Sequence, residues 1–300
     1  MIKHFIDIDQ FTKEQLDLII KDAKSIKKNP KKFTNYFKNN ATLGLLFLKQ
    51  SMRTRSSFIV GMQKMGGSVI ELDPKTIGFG LRETENDILK VLSQYIDCLM
   101  IRNNDHKQIL FLSSLNYLPI INGLSEYSHP CQILSDLLTL EEYLGNITKK
   151  SICWVGDYNN VLRSLIHLQH IYLFKLNVVL PKEIIKKNHK NLNKNKNNNL
   201  IITNNIKEGV SRTNCIMTDA WVSMGEKNSH KKKYFKNYQI NNDIMKFSNK
   251  DCIFMHCLPA HREEEVTSEV IDSTKSVVWR QAKNRMYVQQ AILKNIIKRK

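Results

Sequence analysis

Short apolar runs alternate with amphipathic stretches of helical length along this chain of 300 residues, the order that builds parallel sheets with crossover helices. TLGLLFLK (42–49) is a near-continuous apolar run and reads as a buried strand. RTRSSFIVGMQKM (53–65) has its apolar residues at helical spacing and stops at Gly66-Gly67; SVIELD (68–73) is the next strand and completes a βαβ unit. The pattern then predicts a helix over 83–95, a strand CLMIR (98–102) and a helix over 105–115. A strand LPIING (118–123) follows, and then a long helix HPCQILSDLLTLEEYLG (129–145) ended by Gly145-Asn146.

After that stop the alternation restarts. SICWVGD (151–157) reads as a strand and VLRSLIHLQHIYLF (161–174) as a helix. LNVVLP, NLIITN, CIMTDA (215–220) and DCIFMHC (251–257) are further strands, and the terminal QAKNRMYVQQAILKNIIK is amphipathic at helical spacing. No internal repeat interrupts this order. The expected fold class is α/β: two doubly wound parallel-sheet domains joined by long helices, hinged near 129–145. Ligands of such sheets bind beyond the carboxyl ends of the strands, which is where candidate chemistry is sought.

Composition changes the picture little. A hydrophobic fraction of 42% with 25% charged residues is that of a globular protein. The start, MIKHFIDIDQF, has no long apolar run, so no signal peptide is expected, and no stretch approaches the ~18 apolar residues that span a bilayer. Six cysteines, Cys98, Cys131, Cys153, Cys215, Cys252 and Cys257, are scattered without a CxxC pair. That pattern predicts reduced thiols in a cytoplasmic protein, with neither disulfides nor structural zinc. The formal net charge of +18 raises the question of nucleic acid. The lysines travel with asparagines, however, in KKNHKNLNKNKNNN (186–199) and EKNSHKKKYFKNYQINN (226–242), without interleaved aromatics to stack bases. Both stretches are expected to be solvated loops, and no nucleic-acid partner is expected.

Polar residues gather at the predicted strand ends. SMRTR (51–55) follows a strand directly and opens a helix, where free backbone N–H groups and the helix dipole favour an anion. Ser51 and Thr54 add hydroxyls there, and Arg53 adds a planar fork suited to phosphate oxygens; the plainer reading is a serine N-cap with surface arginines. GxxxxGK[ST] and GxGxxG are both absent, so neither a Walker loop nor a dinucleotide fingerprint is present. Arg102 closes a strand, and HPCQ (129–132) begins a helix with an imidazole and an amide able to hydrogen-bond a carbonyl oxygen. In the second half, Asn159 and Asn160 of GDYNN, Asp219 of TDAWVSMG and Cys257 of HCLP again fall at strand ends. An acid with amides and a hydroxyl suits a zwitterionic amino acid, Asp219 for the ammonium and Asn160 for the carboxylate, and Gly225 offers a hinge. Cys257 is a nucleophile, a polar ligand or a buried thiol; no fixed base adjoins it in sequence, which argues against a covalent role.

Taken in order, SMRTRSSF, LPIINGLSEYSHPCQILSDLLTL, WVGDYNN, TDAWVSMGE and MHCLPAHREEEVTSEVID with Asn284-Arg285 resemble the aspartate/ornithine transcarbamylase family, most closely its ornithine-using branch. The likeness runs from about Phe33 to the end of the chain. It implies a carbamoyl-phosphate-binding domain over 1–131, on which the terminal helix 283–300 packs back, and an ornithine-binding domain over 132–282. It further implies a homotrimer, or an assembly of trimers, with active sites at subunit contacts. The implied reaction moves the carbamoyl group of carbamoyl phosphate to the side-chain amine of L-ornithine, giving L-citrulline and phosphate, in arginine biosynthesis. The resemblance implies no cofactor or metal, and no membrane partner is expected.

Carried over by position, Ser51, Met52, Arg53 and Thr54 hold the phosphate, with Arg285 reaching its side. Arg102, His129 and Gln132 hold and polarise the carbamoyl carbonyl. Asn160, Asp219, Ser223 and Met224 hold ornithine, and Cys257 with Leu258 lines the join between the two ligands. Arg102, His129 and Cys257 are the expected catalytic residues. The chain departs from the family pattern at Met52, where a threonine is usual, and at Gly78, where a neighbouring subunit's Gln or His is usual. It departs again at Tyr158 within GDYNN and at Gln281 and Lys283 before the final Asn-Arg. Putrescine offers no α-ammonium for Asp219; an N-acylated ornithine is the alternative acceptor left open.

Overall fold

The computed structural model of the protein describes residues 2–38, 40–78, 83–222 and 229–298. The chain forms two compact units, Met1–Leu138 with Asn284–Lys300, and Thr139–Lys283. Each is built on one all-parallel sheet.

The first unit opens with α1 (Lys13–Lys28), which is not among the elements expected from the apolar pattern. Its signal was nonetheless present. Thr12 accepts from the Gln15 backbone N–H while the Gln15 side chain accepts from that of Thr12, a capping box. Leu16, Ile19, Ile20, Ala23 and Ile26 then bury one face. The order continues β1 (Thr42–Phe47), α2 (Met52–Lys64), β2 (Ser68–Leu72), the one-turn α3 (Pro74–Ile77), α4 (Glu85–Leu92), β3 (Cys98–Arg102), α5 (His106–Ser114), β4 (Ile120–Leu124) and α6 (Pro130–Leu144). Strand order is β2-β1-β3-β4. The crossovers therefore run one way from β1 to β2 and the other way from β3 to β4, which leaves the switch point between β1 and β3. Leu46, Leu99, Ile101, Ile109, Leu112 and Ile120 belong to the core of this unit. Gly66, at φ 74°, terminates α2; a Cβ there would meet the Thr34 carbonyl oxygen at 2.9 Å.

The second unit runs β5 (Ser151–Val155), α7 (Asn160–Tyr172), β6 (Lys175–Val179), α8 (Lys182–Lys187), α9 (His189–Lys194), β7 (Leu200–Thr203), α10 (Ile206–Val210), β8 (Cys215–Thr218), α11 (Asn242–Met245), β9 (Ile253–His256) and α12 (Ser268–Ile271). The last helix, α13 (Val278–Ile296), closes the chain. The sheet order β7-β6-β5-β8-β9 places the switch point between β5 and β8. Cys153, Val155, Val179, Ile216 and Phe254 sit in its core. The two divisions between units fall within α6 and α13. Among the described residues, no helix is long and apolar enough to cross a membrane.

Several boundaries differ from the pattern. The helix expected over 83–95 is α4 alone, its last three residues forming a turn, with α3 before it. The strand expected from 118 begins at Ile120, because Pro119 has no N–H and supplies only its carbonyl, to Leu99. The Lys/Asn stretch 186–199 is not all loop: it holds the end of α8 and all of α9, pinned by buried Leu192. The second basic stretch is not the expected solvated loop. It contains a 3-10 helix (Ser229–Tyr234) followed by buried Phe235, Tyr238 and Ile240. Phe235 stacks on Trp221 with centroids 5.7 Å apart. Three buried side chains within six residues outweigh the lysines between them.

Candidate active site

On the first unit, β1 and β3 are neighbours, with Phe47 paired to Arg102, so the β1–α2 turn and the end of β3 lie side by side. Ser51 is the N-cap of α2, its side chain accepting from the Thr54 backbone N–H at 3.3 Å. Thr54 is fully buried one turn into that helix, and its Oγ1 accepts two hydrogen bonds, from Arg102 Nη1 at 3.1 Å and Arg285 Nη2 at 2.9 Å. Two guanidinium groups, 6% and 4% exposed, thus converge on an uncharged oxygen at a helix N-terminus. His129, at the end of the β4–α6 turn, belongs to the same group: burial first, and then Arg285 and Arg102, hold its pKa well below the usual 6.5. It is a neutral imidazole. Gln132 lies one turn further along, its backbone N–H donating to the His129 carbonyl at 3.1 Å. Its Nε2 donates to Asp136 Oδ1 at 2.8 Å, while its buried Oε1 has no hydrogen-bond partner among the described residues. Donors gathered at a helix start, with one acceptor oxygen beside them, suit an oxyanion attached to an N–H-bearing group.

The remaining members of SMRTR separate. Met52 is 72% exposed, so only its backbone can serve an anion at the helix start, and Arg53 is half-buried on the first turn. Arg55 turns away, pairing with Glu71 at 2.9 Å and lying 4.8 Å over the Phe47 ring.

On the second unit, the turns after β5, β8 and β9 carry the polar residues, and these three strands are neighbours. Asn159 caps α7, its Oδ1 accepting from the Val161 and Leu162 N–H groups at 3.0 Å each. Its Nδ2 donates to Asp219 Oδ2 at 2.7 Å, and Cys257 Sγ donates to Asp219 Oδ1 at 2.9 Å. The acid is therefore held by an amide and a thiol, both uncharged, which leaves it able to receive a cation. Asn160 is the first residue of α7, partly exposed. Leu258 follows Cys257 at φ 55°, a left-handed conformation costing about 1–2 kcal/mol for a residue with a Cβ. The cost is met locally: the Leu258 N–H donates to His256 Nδ1 at 2.9 Å. The buried His256 ring in turn has Nε2 3.1 Å from Glu265 Oε1, and the His256 N–H donates to Gln281 Oε1 at 3.0 Å.

Ser223, Met224 and Gly225, the last expected as a hinge, lie outside the described residues. Gly78 caps α3 in the left-handed conformation, and Tyr158 is buried beneath the Arg163 guanidinium at 5.2 Å. Sequence reasoning missed Asn159 as the partner of Asp219, and it missed His256, Glu265 and Gln281 as supports for the Cys257 turn. The strand-end position of His256 was a signal; Glu265, nine residues on, gave none. Asp219, His256 and Cys257 bring ligand atoms within 4.8 Å of one another, but both imidazole nitrogens of His256 are engaged. A metal would have to break that turn. Five cysteines are buried and Cys257 is partly exposed; burial pushes the Cys131 thiol up to about 12, the behaviour of an inert core thiol.

Two parallel sheets, each carrying polar side chains beyond the carboxyl ends at its switch point, one set receptive to an anion and the other to a cation, define a two-unit α/β enzyme. Residues 3–142 match the family described as aspartate/ornithine carbamoyltransferase, carbamoyl-P binding domain, and residues 148–296 its Asp/Orn binding domain. The chain belongs to the aspartate/ornithine carbamoyltransferase family. The ornithine carbamoyltransferase of Rhizobium meliloti (strain 1021) is 40% identical over 298 residues, 98% of each chain. The crystal structure of ornithine carbamoyltransferase from Thermus thermophilus superposes with a TM-score of 0.87 at 30% identity, covering 99% of this chain and 100% of that one. The anabolic ornithine carbamoyltransferase of Campylobacter jejuni gives 0.87 at 30%, covering 98% and 99%.

Proposed function

We propose that this enzyme transfers the carbamoyl group of carbamoyl phosphate to the side-chain amine of L-ornithine, releasing L-citrulline and phosphate. The observation that carries the ornithine assignment is the Asp219–Cys257 contact at 2.9 Å with Asn159 behind it. A carboxylate braced by neutral donors receives the α-ammonium of an amino acid and repels a second acid such as aspartate. Asn160 faces the α-carboxylate in this reading, with Ser223 and Met224 completing the ornithine set. The phosphate is held by Ser51, Thr54, Arg53 and the first N–H groups of α2, Met52 included, with Arg285 at its side. Arg102 and neutral His129 donate to the carbamoyl oxygen, and the Oε1 of Gln132, unpaired among the described residues, accepts from the carbamoyl NH2. Cys257 and Leu258 border the reacting carbon.

The neutral ornithine amine attacks the carbonyl carbon, forming the C–N bond. The resulting oxyanion is stabilised by Arg102, His129 and Thr54; the C–O bond to phosphate then breaks, and the departing phosphate takes up the proton lost by the amine. Preorganised donors of this kind are typically worth on the order of a hundredfold in rate each. All the chemistry is positioning and charge, so no cofactor has a step to perform.

The same proposal covers the setting. It places the enzyme in the cytoplasm and in arginine synthesis, a direction supported by the Campylobacter jejuni relative, which is described as anabolic. It makes the assembly a homotrimer, supported by apolar side chains exposed on the first unit: Ile70 on edge strand β2, Val91, Tyr95 and Met52. The deciding experiment measures citrulline and phosphate from carbamoyl phosphate with ornithine, aspartate, putrescine or N-acetylornithine as acceptor, with sedimentation giving the oligomer. Preference for any acceptor but ornithine overturns the assignment.

A further inference from the structure

Lys231, in the 3-10 helix Ser229–Tyr234, places its ammonium on the Asp157 carboxylate. The pair is not a surface decoration: the two side chains are 20% and 6% exposed, against 44% and 36% for the adjacent Lys232–Glu264 pair. Asp157 belongs to the turn between β5 and α7. Its carbonyl oxygen accepts from the indole N–H of fully buried Trp154 at 3.0 Å, so main chain and side chain are gripped from opposite ends of the residue. Gly156, just before it, stands at φ 143°, and Thr218, which precedes Asp219, donates its hydroxyl to the Val155 carbonyl at 2.7 Å. Two residues after Asp157, Asn159 donates to Asp219, and Asp219 accepts from Cys257.

From this chain of contacts we infer that Lys231 is a positioning residue for the amino-acid side of the site, acting through Asp157 and Asn159 on the Asp219 carboxylate. The inference rests on the proposed ornithine reading. Two separate roles converge on the lysine. It fixes the turn that aims the Asn159 amide, and it neutralises a second, nearly buried carboxylate that lies two residues from that amide. Without the ammonium, the nearly buried Asp157 carboxylate loses its charged partner, which favours protonation or a swing toward water, and either response moves the turn. Because Asn159 also caps α7 with its Oδ1, a shift of the turn changes the direction of its Nδ2 rather than its presence. The carbamoyl-phosphate group, formed by Ser51, Thr54, Arg102, His129 and Arg285, has no member in this chain of contacts.

Steady-state kinetics on the full enzyme distinguish the possibilities. Wild-type enzyme must first convert ornithine to citrulline; if it does not, the ornithine reading fails and the Lys231 question does not arise. Given that activity, Lys231→Met is expected to raise the ornithine KM and lower kcat/KM for ornithine on the order of tenfold to a hundredfold, the effect of displacing a substrate-orienting group by about 1 Å. The KM for carbamoyl phosphate stays unchanged. Lys231→Arg, which keeps the charge, restores most of the loss, and Lys232→Met has no effect. Should Lys231→Met fold poorly, the double variant Lys231→Met/Asp157→Asn, which leaves no buried unpaired charge, carries the same test: it folds and keeps the raised ornithine KM. An unchanged ornithine KM in either variant, a parallel rise in both substrates' KM values, or equal effects at Lys231 and Lys232 overturns the inference.

Discussion

Thr54→Val tests the anion site where its geometry is tightest. The substitution is close to isosteric at a fully buried position, so it removes one oxygen without opening a cavity. That oxygen accepts from Arg102 at 3.1 Å and Arg285 at 2.9 Å. Hydrogen bonds to charged groups are worth about 1.5–3 kcal/mol each, which sets a ceiling of about 3–6 kcal/mol. Each guanidinium carries five donors and keeps other partners, so the expected loss in the free enzyme is about 2–4 kcal/mol. For domains of this size that lowers the melting temperature by roughly 5–15 °C. Thr54→Ser keeps the acceptor and loses only a methyl group, about 1 kcal/mol. The assay is thermal unfolding of wild type, Val and Ser variants, without and with inorganic phosphate. A bound anion offers the two arginines replacement oxygens, so phosphate should narrow the gap between Val and wild type. A Val variant as stable as wild type, or a Ser variant as unstable as Val, would show that the hydroxyl does not organise the two arginines.

His129 makes stability depend on pH with a definite sign. Its folded-state pKa lies well below 6.5, so the unfolded chain binds a proton that the folded chain does not. The stability from this group is complete above pH 6.5 and declines as pH falls below it, by up to about 1.4 kcal/mol per pH unit; His129→Asn should flatten that slope in urea titrations at pH 7 and pH 5. Cys257→Ala removes one of the two described donors to Asp219 and should raise the ornithine KM more than the carbamoyl phosphate KM, whereas covalent catalysis by the thiol would abolish turnover outright. Asn159→Ala removes the cap of α7, costing about 1 kcal/mol of stability, and should impair ornithine binding as well, because the same side chain holds Asp219; impaired stability with intact ornithine kinetics would refute the second role.

Much of this organisation was legible in the chain. Parallel-strand interiors are buried on both faces and so read as apolar runs, and every strand predicted from such a run is present. The strand-end rule names Ser51, Thr54, Arg102, His129, Asp219 and Cys257 as candidates, and the fold sets Thr54 against Arg102 and Arg285, and Asp219 against Cys257. What failed to show in the sequence was mostly support. Asn159 reads as a cap, and only the fold reveals that its second amide atom faces Asp219. Glu265 serves His256 across a turn whose shape depends on Leu258 adopting φ 55°, which no propensity forecasts. Lys231 sits in a run of three lysines where composition says solvent, yet its ammonium meets the nearly buried Asp157 carboxylate. Local pattern predicts an element or a strand end; it does not predict which atom of a side chain is left over once the element has formed.

Those leftover atoms carry the functional argument. On the first unit two guanidiniums converge on one neutral oxygen, and the adjacent imidazole is held toward its uncharged form first by burial and then by those two charges. A third cation beside them would be unfavourable, so the group gains most by receiving an anion, and neutral His129 remains a donor without adding to the repulsion. On the second unit the charge has the opposite sign, a carboxylate whose described partners are an amide and a thiol. Its missing complement is a cation. An anionic acyl phosphate suits the first group and a cationic amino acid the second, whereas an acidic acceptor would be repelled by the Asp219 carboxylate. Reversing Asp219 to Lys should accordingly weaken ornithine far more than carbamoyl phosphate; equal weakening of the two would mean that Asp219 holds the fold rather than the substrate.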